Sequence, residues 1–81
     1  MMDGGGLAPK YQWGMRVRAV LDLYNDGSYP DSPVDALLVK EGDTGEIVNI
    51  GTITETNQPL YLVEFDGRTV VGCMEEEILP V

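Results

Sequence analysis

The chain has 81 residues, one cysteine, no histidine and a formal net charge of −9, from 14 acidic and 5 basic side chains. A chain of this length forms one domain, close to the smallest whose core is stable alone. The composition excludes an internal disulfide, a histidine-dependent nucleophilic site and a zinc site made of histidines or several cysteines within these residues. An acidic chain suits nucleic acid poorly, so no nucleic-acid partner is expected.

No apolar run approaches the ~20 residues that a helix needs to cross a bilayer, and the first residues lack the pattern of a secretory leader. We therefore expect a cytoplasmic protein without a membrane partner. The acidic surface is expected either to keep the protein soluble or to guide it towards a basic patch on another protein.

Residues 1–12 are predicted to be a flexible N-terminal segment, because a glycine triplet and a proline leave little apolar surface there. The domain itself is predicted to span residues 13–81. Trp13, at its start, is expected to lie against one end of the folded domain.

A first strand is predicted within residues 15–21, where apolar and basic side chains alternate with a period of two. The buried face is expected to carry Val17, Ala19 and Leu21. Arg16 and Arg18 are then expected side by side on the solvated face.

A polar loop is predicted for residues 22–35, longer than the usual connection in so small a domain. Asn25-Asp26-Gly27 predicts a turn, and two prolines discourage a helix. Tyr24 and Tyr29 combine an apolar ring with a polar hydroxyl, which suits a recognition surface, although at least one is expected to fold back on the domain. The aspartates lack the spacing of an EF-hand loop, so no metal is expected.

A tight turn is predicted at Gly42, Asp43 and Gly45, because glycine supplies the left-handed conformations that such turns require. An apolar run at 36–40 enters this turn. The β-branched residues of 47–50 predict a strand that follows it and extends through the threonine-rich residues after position 50.

A β-hairpin is predicted from the strands 60–66 and 68–74 around the turn Asp66-Gly67. Alternation assigns Tyr61, Val63 and Phe65 to the core. Near the end of the second strand lies Cys73, which is expected to be a small buried residue. The alternative is that Cys73 is exposed and makes a thiol or cluster contact.

Three adjacent glutamates, Glu75, Glu76 and Glu77, predict a single 3-10 turn before a last short strand. Their carboxylates are expected to be solvated rather than to bind metal. The fold is predicted to be all-β, a small SH3-like barrel of about five strands. An open sheet of four or five strands is the alternative.

The ordered pattern of the chain resembles the NifZ family of nitrogen-fixation proteins. Its specific part is Asn-Asp-Gly-x-Tyr-Pro, followed at this distance by Leu-Val-x-x-Gly-Asp-x-Gly. The likeness extends over nearly the whole domain, through the segments 16–19, 24–30, 37–45, 50–52, 61–65, 70–73 and 76–79.

This resemblance implies a non-catalytic, chaperone-like accessory factor that helps the nitrogenase molybdenum–iron protein to complete its P-clusters. The implied partner is that protein or its assembly intermediates, and no cofactor or enzymatic activity is expected. The candidate partner-binding residues are Tyr24, Asn25, Asp26, Gly27, Tyr29 and Pro30. Gly42, Asp43 and Gly45 match the family equally well, but the turn explains them.

Two other classes remain open at this point. Small SH3-like barrels also serve as electron-transfer docking subunits, such as photosystem I subunit IV and the variable chain of ferredoxin–thioredoxin reductase. The acidic surface suits a basic docking partner but not acidic ferredoxin. An RNA-binding barrel is the third class, and the charge of −9 disfavours it.

Overall fold

The computed structural model describes residues 9–27, 29–67 and 69–81. Residues 1–8 of the predicted flexible segment lie outside these ranges. Within them the chain forms seven strands and one 3-10 helix (Glu75–Glu77). The strands are β1 (Arg16–Ala19), β2 (Leu23–Tyr24), β3 (Leu37–Val39), β4 (Thr44–Ile53), β5 (Gln58–Phe65), β6 (Thr69–Cys73) and β7 (Ile78–Pro80).

Five of these strands form one antiparallel sheet in the order β6-β5-β4-β1-β7, and β2 and β3 form a separate two-stranded sheet. The all-β class is therefore confirmed. The sheets do not close into a barrel in the described residues, so the SH3-like barrel is not confirmed. The 3-10 turn and the short strand after it lie where they were predicted. No helix in the described ranges is long and apolar enough to span a membrane.

The core follows from the alternation of β5, in which every second residue is buried. Tyr61, Val63 and Phe65 occupy the buried positions, as predicted. Val17 and Ala19 of β1 are also buried, but the prediction for Leu21 is wrong, since this side chain is 43% exposed. The strand ends at Ala19, so the period-two pattern does not continue to Leu21.

The N-terminal part of the described chain contributes Tyr11 to the core. The backbone N–H groups of Lys10 and Tyr11 donate to the Tyr61 hydroxyl oxygen at 2.8 and 3.1 Å, and this hydroxyl donates to Glu75 at 2.7 Å. Trp13 is 68% exposed, so the expectation that it packs against the domain is wrong. Tyr11, two residues earlier, makes that contact instead.

The two glycines of the predicted turn have different roles. Gly42 has a φ of +95°, a left-handed conformation that is strained for any residue with a side chain. The Asp43 carboxylate accepts a hydrogen bond from the Lys40 N–H at 3.1 Å. Gly45 lies beyond the turn, within β4, and has no left-handed φ. A Cβ atom there would lie 2.6 Å from the Glu64 carbonyl oxygen, so Gly45 is required by close packing between β4 and β5.

The β5–β6 hairpin reverses at Asp66 and Gly67, whose φ angles are 57° and 75°. Such positive values are readily adopted by Asp and Gly. This hairpin places β6 at one end of the five-stranded sheet.

Candidate functional site

The connection between β2 and β3 is organised around the side chain of Asn25, which is only 1% exposed. Its amide nitrogen donates to the carbonyl oxygens of Tyr29, Ser32 and Pro33 at 2.8, 2.8 and 3.0 Å. Its amide oxygen accepts from the N–H groups of Gly27 and Tyr29 at 3.0 and 3.1 Å. One side chain therefore holds loop positions up to eight residues further along the chain.

The backbone of Asn25 closes the base of the same loop. Its N–H donates to the Ala36 carbonyl at 2.8 Å, and its carbonyl accepts from the Asp35 N–H at 2.7 Å. Asn25 was predicted on the partner-binding surface, but the structure places it inside the loop with its amide fully engaged. Its role is to hold the loop in shape, because a buried amide used in this way has no group left for a partner.

The tyrosines beside Asn25 lie on the surface that the loop presents. Tyr24 is 59% exposed on β2, and Tyr29 is half-buried with both of its backbone polar groups bonded to the Asn25 amide. Tyr24, Asp26 and Tyr29 line an open groove of about 660 Å³. Gly27 and Pro30 are exposed but are not among the groove residues.

Residues of β5, β6 and the segment that follows them also line this groove. Its apolar lining includes Leu60, Leu62 and Val70, together with Met74 after β6. In the β5–β6 hairpin, Leu60, Leu62 and Val70 lie next to positions that are buried in the core. The sequence did indicate these positions, because all four residues of 60–63 are apolar and would make both faces of a strand apolar. An apolar outer face is normally covered by another part of the chain or by a partner protein.

The groove is bordered by carboxylates. Asp22, Asp26 and Glu77 line it, and no lysine or arginine does so among the described residues. Asp22 accepts a hydrogen bond from the Glu41 N–H at 2.8 Å, and Glu77 accepts one from the Met74 N–H at 2.8 Å. The groove thus combines aromatic and apolar surface with carboxylate groups that accept backbone hydrogen bonds.

Cys73 lies in the core with no exposed surface, and its Sγ donates to the Val71 carbonyl oxygen at 3.6 Å. Burial, and secondarily the charge of Glu77, raises the pKa of the thiol to about 12. The thiol is therefore protonated at neutral pH. This agrees with the expected core position and provides neither the access nor the thiolate that a cluster contact needs.

The three glutamates of the 3-10 turn do not act as one group. The Tyr61 hydroxyl donates to Glu75 and lowers the pKa of that carboxyl, while burial raises the pKa of Tyr61. Glu77 accepts from the backbone at Met74, and Glu76 is exposed. Within the described ranges, no set of three acidic, cysteine or histidine side chains is arranged to hold a metal ion.

Comparison with known proteins gives a consistent result. A family model described as the NifZ domain matches residues 8–80. Protein NifZ of Azotobacter chroococcum mcd 1 is 39% identical over 75 residues, which cover 90% of this chain and 46% of that protein. Protein NifZ of Azotobacter vinelandii is 37% identical with the same coverage. Protein NifZ of Klebsiella pneumoniae is 32% identical over 76 residues, which cover 93% of this chain and 51% of that protein.

The chain therefore spans about half the length of the curated relatives that it matches. No solved structure matches it.

Proposed function

Because this chain belongs to the NifZ family, a family involved in nitrogen fixation, we propose that it is an accessory factor in nitrogenase maturation. In this proposal it acts in the cytoplasm and binds the molybdenum–iron protein, or an assembly intermediate of it, while the P-clusters are completed. It works by protein–protein binding and not as a catalyst.

The observation that carries this proposal is the groove beside the Asn25 loop. Its exposed Tyr24 ring, its apolar residues from β5 and β6 and its carboxylates form a surface suited to another protein. The chain has no histidine, and its cysteine is buried and protonated at neutral pH, so the titratable side chains of the groove are carboxylates and tyrosines. That set supports recognition of a partner better than covalent or acid–base chemistry.

The direct test is binding of the purified protein to cluster-immature molybdenum–iron protein, with the mature form as comparison and with the salt concentration varied. We expect preferential binding to the immature form. We also expect the affinity to fall with salt, because the carboxylates around the groove attract cationic groups. Absence of binding to both forms at tens of micromolar would refute the proposal and favour an electron-transfer docking role.

A pair of variants tests whether the groove is the contact surface. Tyr24→Ala removes the exposed groove ring and should weaken binding by about 1–2 kcal/mol, roughly a 5- to 30-fold rise in Kd. Trp13→Ala is the matched control, since Trp13 is 68% exposed and is not among the groove residues. Equal losses from both variants would show that binding depends on exposed aromatic surface in general and not on the groove.

A further inference from the structure

The groove is lined by three consecutive residues of β6. Val70 and Gly72 are exposed and Val71 between them is buried, so residues of both faces of this strand line the groove. In the described chain β6 is an end strand of its sheet. The groove therefore lies beside a strand whose outer edge has no partner strand among the described residues.

A second segment lines the groove with consecutive residues. These are Leu21, Asp22, Leu23 and Tyr24. Two of them form β2, which pairs with β3 in the separate two-stranded sheet. The groove is therefore lined both by an end strand of one sheet and by a strand of the other.

We infer that one extended segment of the partner protein lies in this groove as an added strand beside β6, with apolar side chains in the groove and lysine or arginine next to them. This inference rests on the proposed function, since it names what part of a partner is bound. An end strand offers backbone donors and acceptors to an incoming chain, and a neighbouring pocket selects its alternate side chains. The apolar side chains of Leu60, Leu62 and Val70 supply that pocket.

The charge around the groove determines which segment fits. The carboxylates of Asp22 and Glu77 are held in place by backbone N–H groups, so little ordering is needed before they meet a cation. A second copy of this chain, with its formal charge of −9, is repelled by the same surface. A cationic, apolar segment of another protein is the occupant that this chemistry favours.

The test uses defined peptides, independently of nitrogenase. The probe is a fluorescein-labelled peptide of about nine residues, a typical strand length, in which leucine alternates with lysine. One comparison peptide has glutamate in place of lysine, and another has prolines at two central positions, which removes backbone donors. We expect fluorescence anisotropy to show that the leucine–lysine peptide binds at least about tenfold more tightly than either. Its binding should slow hydrogen exchange of the β6 amides.

Two valines provide a matched pair of variants. Val70 and Val48 are 39% and 40% exposed, and both lie on strands, but only Val70 is a groove residue. Val70→Lys should weaken peptide binding by about tenfold or more. Val48→Lys adds the same charge elsewhere and should change it by less than about twofold. If Val70→Lys does not fold, Val70→Thr and Val48→Thr are used in place of the two lysine variants. Val70→Thr should again weaken peptide binding more than Val48→Thr does.

Several results would overturn the inference. These are no binding at about 1 mM, equal binding of the proline peptide, or equal losses from the two valine variants. Self-association that Val70→Lys abolishes would place a second copy of the chain in the groove and would also overturn it. Peptide binding as described, without binding to the molybdenum–iron protein, would refute the proposed function alone. Binding to the immature molybdenum–iron protein that Val70→Lys leaves unchanged would refute the inference alone.

Discussion

The substitution Asn25→Ala tests whether one buried amide shapes the candidate site. The change removes the donor to three loop carbonyls and the acceptor for two backbone N–H groups. Since an amide carries two N–H hydrogens, these contacts amount to about four full hydrogen bonds, each with a net value of about 1 kcal/mol. Ser32 is half-buried and Pro33 is exposed, so water can replace part of the hydrogen bonding that their carbonyl oxygens lose.

We therefore expect the free energy of unfolding to fall by about 2–4 kcal/mol, a large part of the roughly 4–12 kcal/mol typical of a domain of this size. The loop should open before the sheet does. The amides of Gly27 and Tyr29, which donate to the Asn25 side chain, should then exchange about 30- to 700-fold faster.

Urea unfolding and residue-resolved hydrogen exchange measure the two effects. The matched control is Asn49→Ala, because the side chain of Asn49 is exposed and accepts a single hydrogen bond, from the N–H of Ile50 at 2.8 Å. That control should cost less than about 1 kcal/mol. A loss of less than about 0.5 kcal/mol in Asn25→Ala, with unchanged exchange at Gly27 and Tyr29, would refute the assignment of Asn25 as the organiser of the loop.

Three further predictions concern the sheet and its buried groups. Gly45→Ala should lower the free energy of unfolding by about 1–3 kcal/mol, because the added Cβ would lie 2.6 Å from a carbonyl oxygen of β5. Gly51→Ala, on the same strand but with open space around the added Cβ, should not lower it, and equal urea midpoints for the two variants would contradict this. Burial raises the pKa of Cys73 from 9.0 to about 12, which lowers the fraction of reactive thiolate at pH ~8 roughly 1,000-fold. Cys73 should therefore react with a disulfide reagent about that much more slowly in the folded protein than in urea. Comparable rates would show that the thiol is accessible. The pKa of Glu75 is lowered from 4.5, so the stabilisation by its carboxylate is present above pH 4.5 and is lost as the pH falls through the lower pKa of the folded state. Glu75→Gln, unlike Glu76→Gln, should therefore reduce the loss of stability with falling pH below about pH 5. Parallel plots of the free energy of unfolding against pH for the two variants would contradict this.

Much of the fold was predictable from local pattern. The alternation that buries Tyr61, Val63 and Phe65, and the turn signal at Asp66-Gly67, act between neighbours along the chain. The 3-10 turn at Glu75–Glu77 was equally local. Side-chain direction in a strand and backbone preference at a turn are set by covalent geometry and sterics, so they can be inferred before any partner strand is known.

The same reasoning failed where a position depends on distant contacts. The pattern at Leu21 continued that of β1, but the strand had already ended at Ala19, where the backbone bonds to Gly42 and Asp43 instead. Gly45 was assigned to a turn, although the approach of β5 is what requires a glycine there. The SH3-like barrel was predicted from the strands and turns, but closure depends on whether the end strands meet, and it is not confirmed in the described residues.

The candidate site shows most clearly which features follow from the sequence and which follow only from the tertiary structure. The sequence by itself determined the five strands of the larger sheet, the family and the segment that carries Tyr24 and Tyr29, but it assigned Leu23 and Tyr24 of β2 to a loop. Only the tertiary structure decided that Asn25 points inward and that Leu60 and Val70 complete a groove with the loop. Local preferences specify the conformation of each segment, whereas a groove is the space left between segments, and its shape is set by the packing of parts that are far apart in the chain.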